Sequence, residues 1–424
     1  MSLEALTPAM RVSPTAPATR AAHLTADVVV VGAGIVGASC AYALALRGLN
    51  VHLIERDAPA RGASGACEGN LVLFDRPTDA DLRLARWSFE RWEEIGRELL
   101  EETGTDIEFD RKGSLMLAQD DEAAAAARAK CAWLADRGVA SEWLDGPGLH
   151  ETEPDLAPGL EQAAWFPFDA QIEPRLATAG LVVGARRHGA VVHLHEPVIA
   201  LTVAPDGGRA TVTTTQRSIE AHWVVVAAGV WTNRVLGGLA DLRVTARKGQ
   251  IAVMSCPGIR VRHKVMEAAY VHTVASDESA LQIATVVEST HSGTILLGSS
   301  RLSTDPDDGS TDVDVLNRIV ARAITFFPGL ARSSMIRSYA GLRPMAADHT
   351  PIVGPLPSMA SVVLATGHEG GGVMMAAATG ELVARHLLGE EAPVSIEPYL
   401  PTRLLRPADP ERPAARFPRR RSRP

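Results

Sequence analysis

Three glycines near the start of the chain have the spacing of a nucleotide-binding turn. Gly32, Gly34 and Gly37 form the pattern G-x-G-x-x-G. In such a turn the first glycine permits the tight bend, the second lets the backbone approach a pyrophosphate, and the third lets a helix pack on a strand. Glu55 follows at the interval where a carboxylate accepts hydrogen bonds from both ribose hydroxyls of an adenosine. The pattern predicts a dinucleotide site. It disfavours NADP, whose 2′-phosphate the carboxylate would repel, but does not distinguish NAD from FAD.

The residues around these glycines predict the elements that position them. Val28 to Val31 is a β-branched run without a polar break, as expected of a parallel strand buried on both faces. Ile35 to Arg47 is rich in Ala and Leu and stops at Gly48, a usual residue at a helix C-terminus. Val51 to Ile54 predicts the second strand. This context favours a nucleotide-binding unit over a glycine turn without a ligand.

Composition bounds the class of protein. Of the 424 residues, 46% are hydrophobic and 22% are charged, and the net charge is −8. These values are typical of a globular protein without a general basic surface for nucleic acid, and the length allows two or three domains or one large two-lobed enzyme. The four cysteines lie far apart with no C-x-x-C pair. The sequence therefore indicates no zinc site, disulfide framework or cysteine-held iron–sulfur cluster, and we expect a reducing compartment.

Both ends of the chain predict disorder. Residues 1–26 lack the positive start and continuous apolar middle of a signal peptide, and residues 401–424 are rich in Pro and Arg. The apolar span from Val28 to Leu46 contains three glycines, which argues against a transmembrane helix. We therefore predict a cytoplasmic protein. RNA or membrane binding by the basic tail is the less favoured alternative.

Three later segments have residues small enough to lie against an extended ligand. The run from Gly62 to Gly69 follows the second predicted strand, with a flexible surface loop as its alternative interpretation. Ala227 to Gly229 follows another buried strand, and Gly367 to Gly372 runs into a helix that ends at Gly389. The start of that helix carries about half a positive charge, which could stabilise negative charge on a bound group.

Other parts of the chain predict a second sheet and several helices. Residues 244–309 alternate apolar and polar side chains, as in an antiparallel sheet with one solvated face. We predict a hairpin around Lys112 and Gly113, and Thr311 as a helix cap. His193 and His195 are predicted on one strand face, with solvent or backbone partners favoured over a metal. Helices are predicted at residues 78–104, 121–138, 173–189 and 313–326.

Four segments in this order resemble the D-amino-acid oxidase superfamily of FAD enzymes: the glycine pattern at Gly32, AAGVW at Ala227, AGLRP with PIVG from Ala340, and GHEGGG at Gly367. The resemblance covers Asp27 to Tyr399. This superfamily includes glycine oxidase, sarcosine oxidase and D-amino-acid dehydrogenase. GHEG, together with LLGSSR near Leu297, is most similar to the flavin subunits of heteromeric proline or hydroxyproline dehydrogenases, opine oxidases and hydrogen cyanide synthase.

The resemblance implies an α/β fold of the glutathione-reductase type with two lobes. One is a Rossmann-like FAD-binding domain, and the other is a mostly antiparallel α+β substrate domain. It assigns residues 27–110, 160–235 and 335–400 to the FAD-binding domain, and residues 111–159 and 236–334 to the substrate domain. The hairpins and helices of the latter interrupt the strict βαβ rhythm, as an inserted domain would.

The resemblance also implies which residues contact FAD. In chain order these are Gly32, Gly34, Gly37, Glu55, Arg56, Ala63, Ser64, Gly69, Asn70, Leu71, Val198, Ala228, Gly229, Trp231, Arg343, His368, Gly370, Gly371, Gly372, Val373 and Met374. Residues 370–374 would bring N–H groups to the flavin pyrimidine edge, where the reduced flavin carries negative charge. Some sarcosine oxidases have a flavin-bound cysteine around Gly341. None is present here, so we expect noncovalent FAD, and no metal. Cys67 and Glu68 are unusual beside a flavin, and the sequence alone gives no physical reason for them.

The implied reaction is oxidation of a C–N bond next to a carboxylate. Arg343 matches the arginine that pairs with the substrate carboxylate, and Tyr270 matches a tyrosine that assists it. Hydride passes to flavin N5, and water hydrolyses the resulting imine. No base is assigned, because a neutral amine can release hydride directly.

The implied partners are a small amino or imino acid and, in heteromeric relatives, electron-transfer subunits; homo-oligomers are also compatible with the sequence. Three alternatives stay open. The chain could be an NAD-linked dehydrogenase, a flavin subunit that passes electrons to a partner instead of oxygen, or a non-catalytic FAD-binding scaffold. The sequence does not choose the substrate or the electron acceptor.

Overall fold

The computed structural model of the protein describes residues 22–268, 280–357 and 359–405. Its strands are β1 (Ala22–Val31), β2 (Val51–Ile54), β3 (Asn70–Leu71), β4 (Ser114–Ala118), β5 (Glu142–Asp145), β6 (Gln162–Phe166), β7 (Ala170–Gln171), β8 (Val191–His193), β9 (Val198–Val203), β10 (Ala210–Thr214), β11 (Arg217–Val226), β12 (Thr245–Ser255), β13 (Lys264–Glu267), β14 (Gln282–Ser289), β15 (Ile295–Thr304), β16 (Ser334–Met345), β17 (Ile352–Leu356) and β18 (Met359–Thr366). Its α-helices are α1 (Ile35–Leu46), α2 (Asp79–Thr103), α3 (Asp121–Ala135), α4 (Gly146–Thr152), α5 (Pro174–Arg187), α6 (Thr232–Leu236), α7 (Val313–Phe326) and α8 (Gly372–Leu388).

The first sheet is built on the predicted strand, helix and strand unit. Its order is β17-β18-β11-β1-β2-β8, and β1 pairs in parallel with both β11 and β2. Strands β8 and β18 extend the parallel part, whereas β17 pairs antiparallel with β18. Val28 to Val31 is buried, as the unbroken apolar run predicts. The carboxyl ends of the parallel strands meet at one edge, where the glycine turns begin.

Four helices, α1, α2, α5 and α8, share a core on one face of this sheet. Gly380 of α8 lies against Ser39 of α1, and a Cβ at Gly380 would come 2.6 Å from the Ser39 backbone. Trp92 of α2 is fully buried and donates its Nε1–H to the carbonyl oxygen of Val373 at 2.9 Å. This hydrogen bond holds the first turn of α8 against α2. None of the described helices combines the length and the apolar run needed to cross a bilayer.

The second sheet has the order β16-β12-β15-β14-β13-β4-β6-β5. Its neighbouring strands are antiparallel except for the parallel pair β13 and β4, which confirms the predicted mostly antiparallel second sheet. Helix α7 packs Leu316, Ile319 and Phe326 on this sheet. The helix bounds agree with the prediction, but the cap differs. Asp312, not Thr311, accepts the N–H groups of the first turn, because its carboxylate already occupies the N-cap position.

The predicted hairpin around Lys112 and Gly113 is wrong. Only its second half forms a strand, β4, which pairs with β6 and β13. On the other side, Asp110 makes a single bridge to Gln171. Pairing with strands distant in the sequence therefore replaces the local pairing that the alternating pattern predicted.

The predicted shared strand face of His193 and His195 is also wrong. His193 ends β8, whereas His195 lies beyond the strand with a φ of +56°. The His193 ring is buried, with its Nε2 3.0 Å from Nδ1 of His52. Within the described residues, no group of three metal-ligating side chains is found.

The disorder predicted at both termini extends too far inward. Residues 22–26 form the first half of β1, because they pair with β11. At the other end, Pro401–Arg403 forms a 3₁₀ turn, and Arg403 Nε lies 2.6 Å from the Asp348 carboxylate. Residues 1–21 and 406–424 lie outside the described part of the chain.

The division of the chain into two domains remains a proposal. The strand pairing leads us to move two of its boundaries. Strands β6 and β16 belong to the second sheet, although the prediction placed residues 160–166 and 335–345 in the FAD-binding domain. We propose that both segments belong to the substrate domain. Each crosses to the second sheet because its pairing partners lie there.

Candidate functional site

A cleft lies between the glycine turns of the first sheet and strands β12 and β16 of the second. It has a volume of about 480 Å³, within the range of pockets that bind small molecules and cofactors. It also lies at the carboxyl ends of parallel strands, where open α/β sheets bind their ligands. The position of the cleft therefore matches the predicted dinucleotide site.

The turn after β1 requires glycine at two positions, Gly32 and Gly37. Gly32 has a φ of +105°, and a Cβ there would come 2.5 Å from the carbonyl oxygen of Ala227. A Cβ at Gly37 would overlap the carbonyl oxygen of Gly32. Gly34 lines the cleft itself. The turn thus packs tightly against the end of β11 and leaves bare backbone along the cleft.

Glu55 lies beside this turn with its carboxylate already oriented. Oε2 accepts the N–H of Ala33 at 2.8 Å, and Oε1 accepts the N–H of Asp57 at 2.9 Å. Each carboxylate oxygen keeps a second acceptor site for a ligand hydroxyl. The Arg56 guanidinium lies over the Trp231 ring, 3.5 Å from its centroid. This part of the cleft therefore offers the acceptors and flat surfaces that an adenosine needs.

The start of α1 lines the cleft. Gly34 is the N-cap residue and has no side chain to cap the helix. Ser64, from the small-residue segment, accepts the N–H of Ile35 at 2.9 Å through its Oγ. Because the Ser64 oxygen is the acceptor in this hydrogen bond, its own hydroxyl hydrogen can be donated to an anion. A helix start of this kind is a phosphate-binding feature.

Arg343 supplies a guanidinium in another part of the cleft. It lies on β16 in register with Arg247 of β12, and its Nη1 donates to the carbonyl oxygen of Ser300 at 2.9 Å. A Cβ at Gly249 would overlap this guanidinium, and a Cβ at Gly370 would come 3.9 Å from it. Two positions without side chains therefore leave the space that the half-buried guanidinium fills.

A buried ion pair lies next to Arg343. Arg247 Nη1 is 2.7 Å from Oε1 of Glu369, and His349 Nδ1 is 3.3 Å from Oε2. Burial opposes ionisation of Glu369, but the hydrogen bond with His349 and the charges of Arg301 and Arg247 outweigh it and lower the pKa to about 2. Glu369 is therefore ionised at neutral pH and compensates Arg247, which does not line the cleft, whereas Arg343 does.

His368, the residue before this carboxylate, is buried and uncharged at neutral pH. Its Nε2 lies 3.0 Å from the Thr379 hydroxyl oxygen, and burial lowers its pKa to about 4. The ring therefore connects the glycine segment before α8 to the body of that helix as a neutral hydrogen-bonding group.

We expect protonation of His368 to contribute a fall of roughly 3 kcal/mol in the free energy of unfolding as the pH decreases from about 6.5 to about 4. In this range the unfolded chain binds a proton at His368 that the folded protein does not bind, so acid favours the unfolded chain. Urea unfolding of the FAD-bound protein at a fixed FAD concentration measures the dependence. The substitution His368→Gln should reduce the slope, whereas His291→Gln, at an exposed histidine, should not. An unchanged slope in His368→Gln would contradict the assignment.

The structure brings most of the predicted cofactor residues to the cleft. Its lining includes Gly32, Gly34, Glu55, Arg56, Ala63, Ser64, Gly69, Asn70, Val198, Ala228, Gly229, Trp231, Arg343, His368, Gly370, Gly372 and Val373. Four predicted residues do not line it. Gly37 permits helix packing, Leu71 and Met374 are buried in the helical core, and Gly371 lies against the Arg76 side chain. Tyr270 lies outside the described residues.

Several lining residues had no role in the sequence prediction. They include Cys67, Glu68, Glu196, Gly249, Ile251 and Glu369. Gly249 had a usable signal, because a glycine inside a strand often marks a close approach by another group. The Arg247 pairing with Glu369 had none, since the two residues are distant in the sequence and meet only through strand register.

The residues present fit an extended dinucleotide such as FAD. The glycine turn has no side chains to block a pyrophosphate, and the Glu55 carboxylate can accept ribose hydroxyls. The starts of α1 and α8 can both stabilise negative charge. Gly370, Gly372 and Val373 line the cleft at the start of α8, as a flavin pyrimidine would require.

Comparisons with known proteins agree with this geometry. A family model described as FAD dependent oxidoreductase (DAO) matches residues 27–386. A glycine oxidase from Pseudomonas aeruginosa is 31% identical over 379 residues, which cover 88% of this chain and 98% of that protein. A hydrogen cyanide synthase subunit from the same organism is 28% identical over 420 residues, covering 89% and 96%. The crystal structure of glycine oxidase from Geobacillus kaustophilus has a TM-score of 0.82 and 25% identity, covering 91% of this chain and 100% of that chain.

Proposed function

Because the chain belongs to the FAD-dependent oxidoreductase family, whose model it matches over residues 27–386, we propose that it oxidises the C–N bond of a small amino or imino acid. The chain is an FAD-dependent enzyme of the glycine oxidase and amino-acid dehydrogenase type. The observation that carries the substrate assignment is the Arg343 guanidinium, half-buried in the same cleft as the cofactor residues.

Arg343 binds the substrate carboxylate. A guanidinium pairs with a carboxylate through two parallel hydrogen bonds, worth about 1.5 to 3 kcal/mol. The hydrogen bond to Ser300 and the close fit beside Gly249 restrict the rotation of the guanidinium. The bound carboxylate therefore has a defined direction, which orients the C–H bond next to the amine.

The start of α8 provides the electrostatic support. The chemistry that bound FAD would supply is a flavin ring able to take up the hydride of the C–H bond next to the amine. The N–H groups at Gly370, Gly372 and Val373 stabilise the negative charge that this transfer produces, and the helix dipole adds to them. The hydrogen bond from Trp92 to Val373 keeps this helix start in place.

We propose that FAD is bound noncovalently. Cys67 lines the cleft, so it is the cysteine to consider for a covalent bond. Burial raises the pKa of its thiol to about 12, which keeps the thiol protonated and weakly nucleophilic. Its Sγ also donates to the carbonyl oxygen of Ser64 at 3.3 Å. FAD should therefore be released in full when the protein is denatured in acid.

A second candidate is a flavin subunit that passes electrons to a partner protein. The similarity to a hydrogen cyanide synthase subunit supports it, since that relative is one subunit of an assembly. Both candidates use the same cleft and the same residues. They differ only in the electron acceptor.

Anaerobic reduction of the bound FAD tests the proposed function. An oxidised flavin absorbs at about 450 nm. We expect this absorbance to bleach with at least one of glycine, sarcosine, D-proline and D-alanine. Failure of every amino and imino acid to bleach the flavin would favour a non-catalytic scaffold. A protein without flavin absorbance would contradict the cofactor assignment.

Oxygen consumption separates the two candidates. With the substrate that bleaches the flavin, an oxidase forms peroxide at the rate of flavin reduction. A subunit that depends on a partner is reduced at a similar rate but is reoxidised slowly by oxygen. The rate of peroxide formation and the rate of reduction of an artificial electron acceptor are therefore both measured with the isolated chain.

A further inference from the structure

An acidic loop, residues 305–308 (DPDD), lies in the connection between β15 of the second sheet and α7. This connection is attached to β12. Lys248 Nζ lies 2.7 Å from Oδ2 of Asp308, and Gln250 Oε1 accepts the N–H of Asp312 at 2.6 Å. Both β12 side chains are buried, and the hydrogen bond from Lys248 is the main cause of the low pKa of Asp308. The second sheet therefore fixes the base of the acidic loop.

The tip of the acidic loop contacts side chains that follow β11 of the first sheet. Arg234 of α6 donates Nη1 and Nη2 to different carboxylate oxygens of Asp307, with Nη1 at 2.9 Å from Oδ1. Trp231 Nε1 donates to the same Oδ1 at 3.3 Å. The hydrogen bond with Arg234 lowers the pKa of Asp307, so this carboxylate is ionised at neutral pH. One carboxylate of the second sheet's connection thus holds two side chains beside the first sheet.

These two side chains belong to the cleft. Trp231 and Arg234 both line it, whereas Asp307 is not among the described residues that do. The Trp231 ring also lies under the Arg56 guanidinium, and Arg56 follows Glu55, the carboxylate proposed to accept the adenosine ribose. Asp307 therefore holds the lining of the proposed adenosine end from outside the cleft.

We propose that Asp307 is a positioning residue for FAD, which keeps Trp231 and Arg234 in the orientation that encloses the adenosine end of the bound cofactor. Side chains that are already ordered lose less conformational freedom when a ligand binds, and the gain in affinity is expressed mainly as slower dissociation. The acidic loop is then a strap across the two sheets that slows the release of FAD. The inference concerns FAD binding alone and does not rest on the proposed substrate.

The rate of FAD release from the purified holoenzyme tests this role. Bound FAD is exchanged against an excess of isotopically labelled FAD, and the protein-bound flavin is analysed by mass spectrometry after gel filtration. We expect Asp307→Asn to release FAD about fivefold faster than wild type at low salt, as an exposed carboxylate–guanidinium pair with two parallel hydrogen bonds implies. Asp307→Glu keeps the charge and should restore most of the wild-type rate.

Salt separates the ion pair from a general loosening of the protein. Asp307 and Arg234 are both exposed. Raising NaCl from about 0.01 to about 1 M shortens the screening length from about 30 to about 3 Å, so the wild-type rate should approach that of Asp307→Asn. In an Arg234→Gln background, adding Asp307→Asn should accelerate release less than it does in wild type, because the pair is already absent.

Asp305→Asn is the matched control, since it removes the same charge from the same loop. Its amide oxygen can still accept the N–H of Asp307, which the Asp305 carboxylate accepts at 2.8 Å. Among the described residues, the hydrogen bonds to Trp231 and Arg234 from this loop come from Asp307 and not from Asp305. We expect this variant to release FAD at the wild-type rate.

Equal rates of FAD release in Asp307→Asn and wild type, or equal acceleration in Asp305→Asn, would overturn the role of Asp307. A wild-type rate that is the same at low and high salt would overturn it as well, which keeps the proposal falsifiable even if Asp307→Asn does not fold. These results leave amine oxidation untouched, because that function is measured as bleaching of the flavin by a substrate.

Discussion

Replacing Arg343 by Lys is expected to raise the dissociation constant of the amino-acid substrate by about 10- to 150-fold, with little change in FAD affinity. This range corresponds to the binding free energy of about 1.5 to 3 kcal/mol that a charge-assisted bidentate pair contributes. Lysine keeps the positive charge but lacks the planar fork. It also does not fill the guanidinium-shaped space beside Gly249 and Gly370. Anaerobic flavin reduction at varied substrate concentration separates the dissociation constant from the rate constant, and flavin absorbance reports the bound FAD.

Arg337→Lys is the control for this substitution. Arg337 lies on the same strand but is exposed and packs over the Tyr339 ring, 5.1 Å from its centroid. We expect its substrate affinity to equal that of wild type. Arg343 would lose its assigned role if Arg343→Lys left the dissociation constant of every tested amino acid unchanged.

Gly32→Ala should lose nearly all bound FAD, with an affinity at least about 100-fold weaker than that of wild type. Backbone strain at the φ of +105° costs of order 1 to 3 kcal/mol. In addition, the new Cβ would lie 2.5 Å from the Ala227 carbonyl oxygen, so the turn and the end of β11 must separate. Both segments line the cleft. The flavin-to-protein absorbance ratio after gel filtration and titration of the apoprotein with FAD provide the measurement.

Gly48→Ala separates backbone strain from steric overlap. Gly48 also has a positive φ, +77°, but a Cβ there would meet no atom within 4 Å. This variant should lose about 1 kcal/mol of stability and keep its FAD. If Gly32→Ala is purified with as much FAD as wild type, the tight contact between the turn and β11 is not needed for binding.

The parts of the fold that the sequence predicted depend on short segments. The strand Val51–Ile54 and the helix Val313–Phe326 have the predicted bounds, because their patterns and end residues are local. Gly389 ends α8 with a φ of +68°, as its position predicts. The resemblance added the two-domain architecture and the FAD assignment, which no local pattern contains.

The remaining features depend on contacts between distant segments. β4 follows a pattern that suits a hairpin, yet it pairs with β6 and β13. The Arg247 pair with Glu369 and the approach of Glu68 to Gly298 both require the second sheet to lie over the first. Glu68 is an unusual residue beside a flavin, and only the packing of the two sheets fixes the direction of its side chain.

The most direct test is a crystal structure of the oxidised protein with FAD and 2-aminoisobutyrate, an amino acid without the C–H bond that would reduce FAD. We predict FAD in the cleft with its ribose on Glu55 and its flavin at the start of α8, and the ligand carboxylate paired with both arms of the Arg343 guanidinium. A cleft without FAD, or a carboxylate bound away from Arg343, would contradict the proposal that this guanidinium orients an amino acid for oxidation.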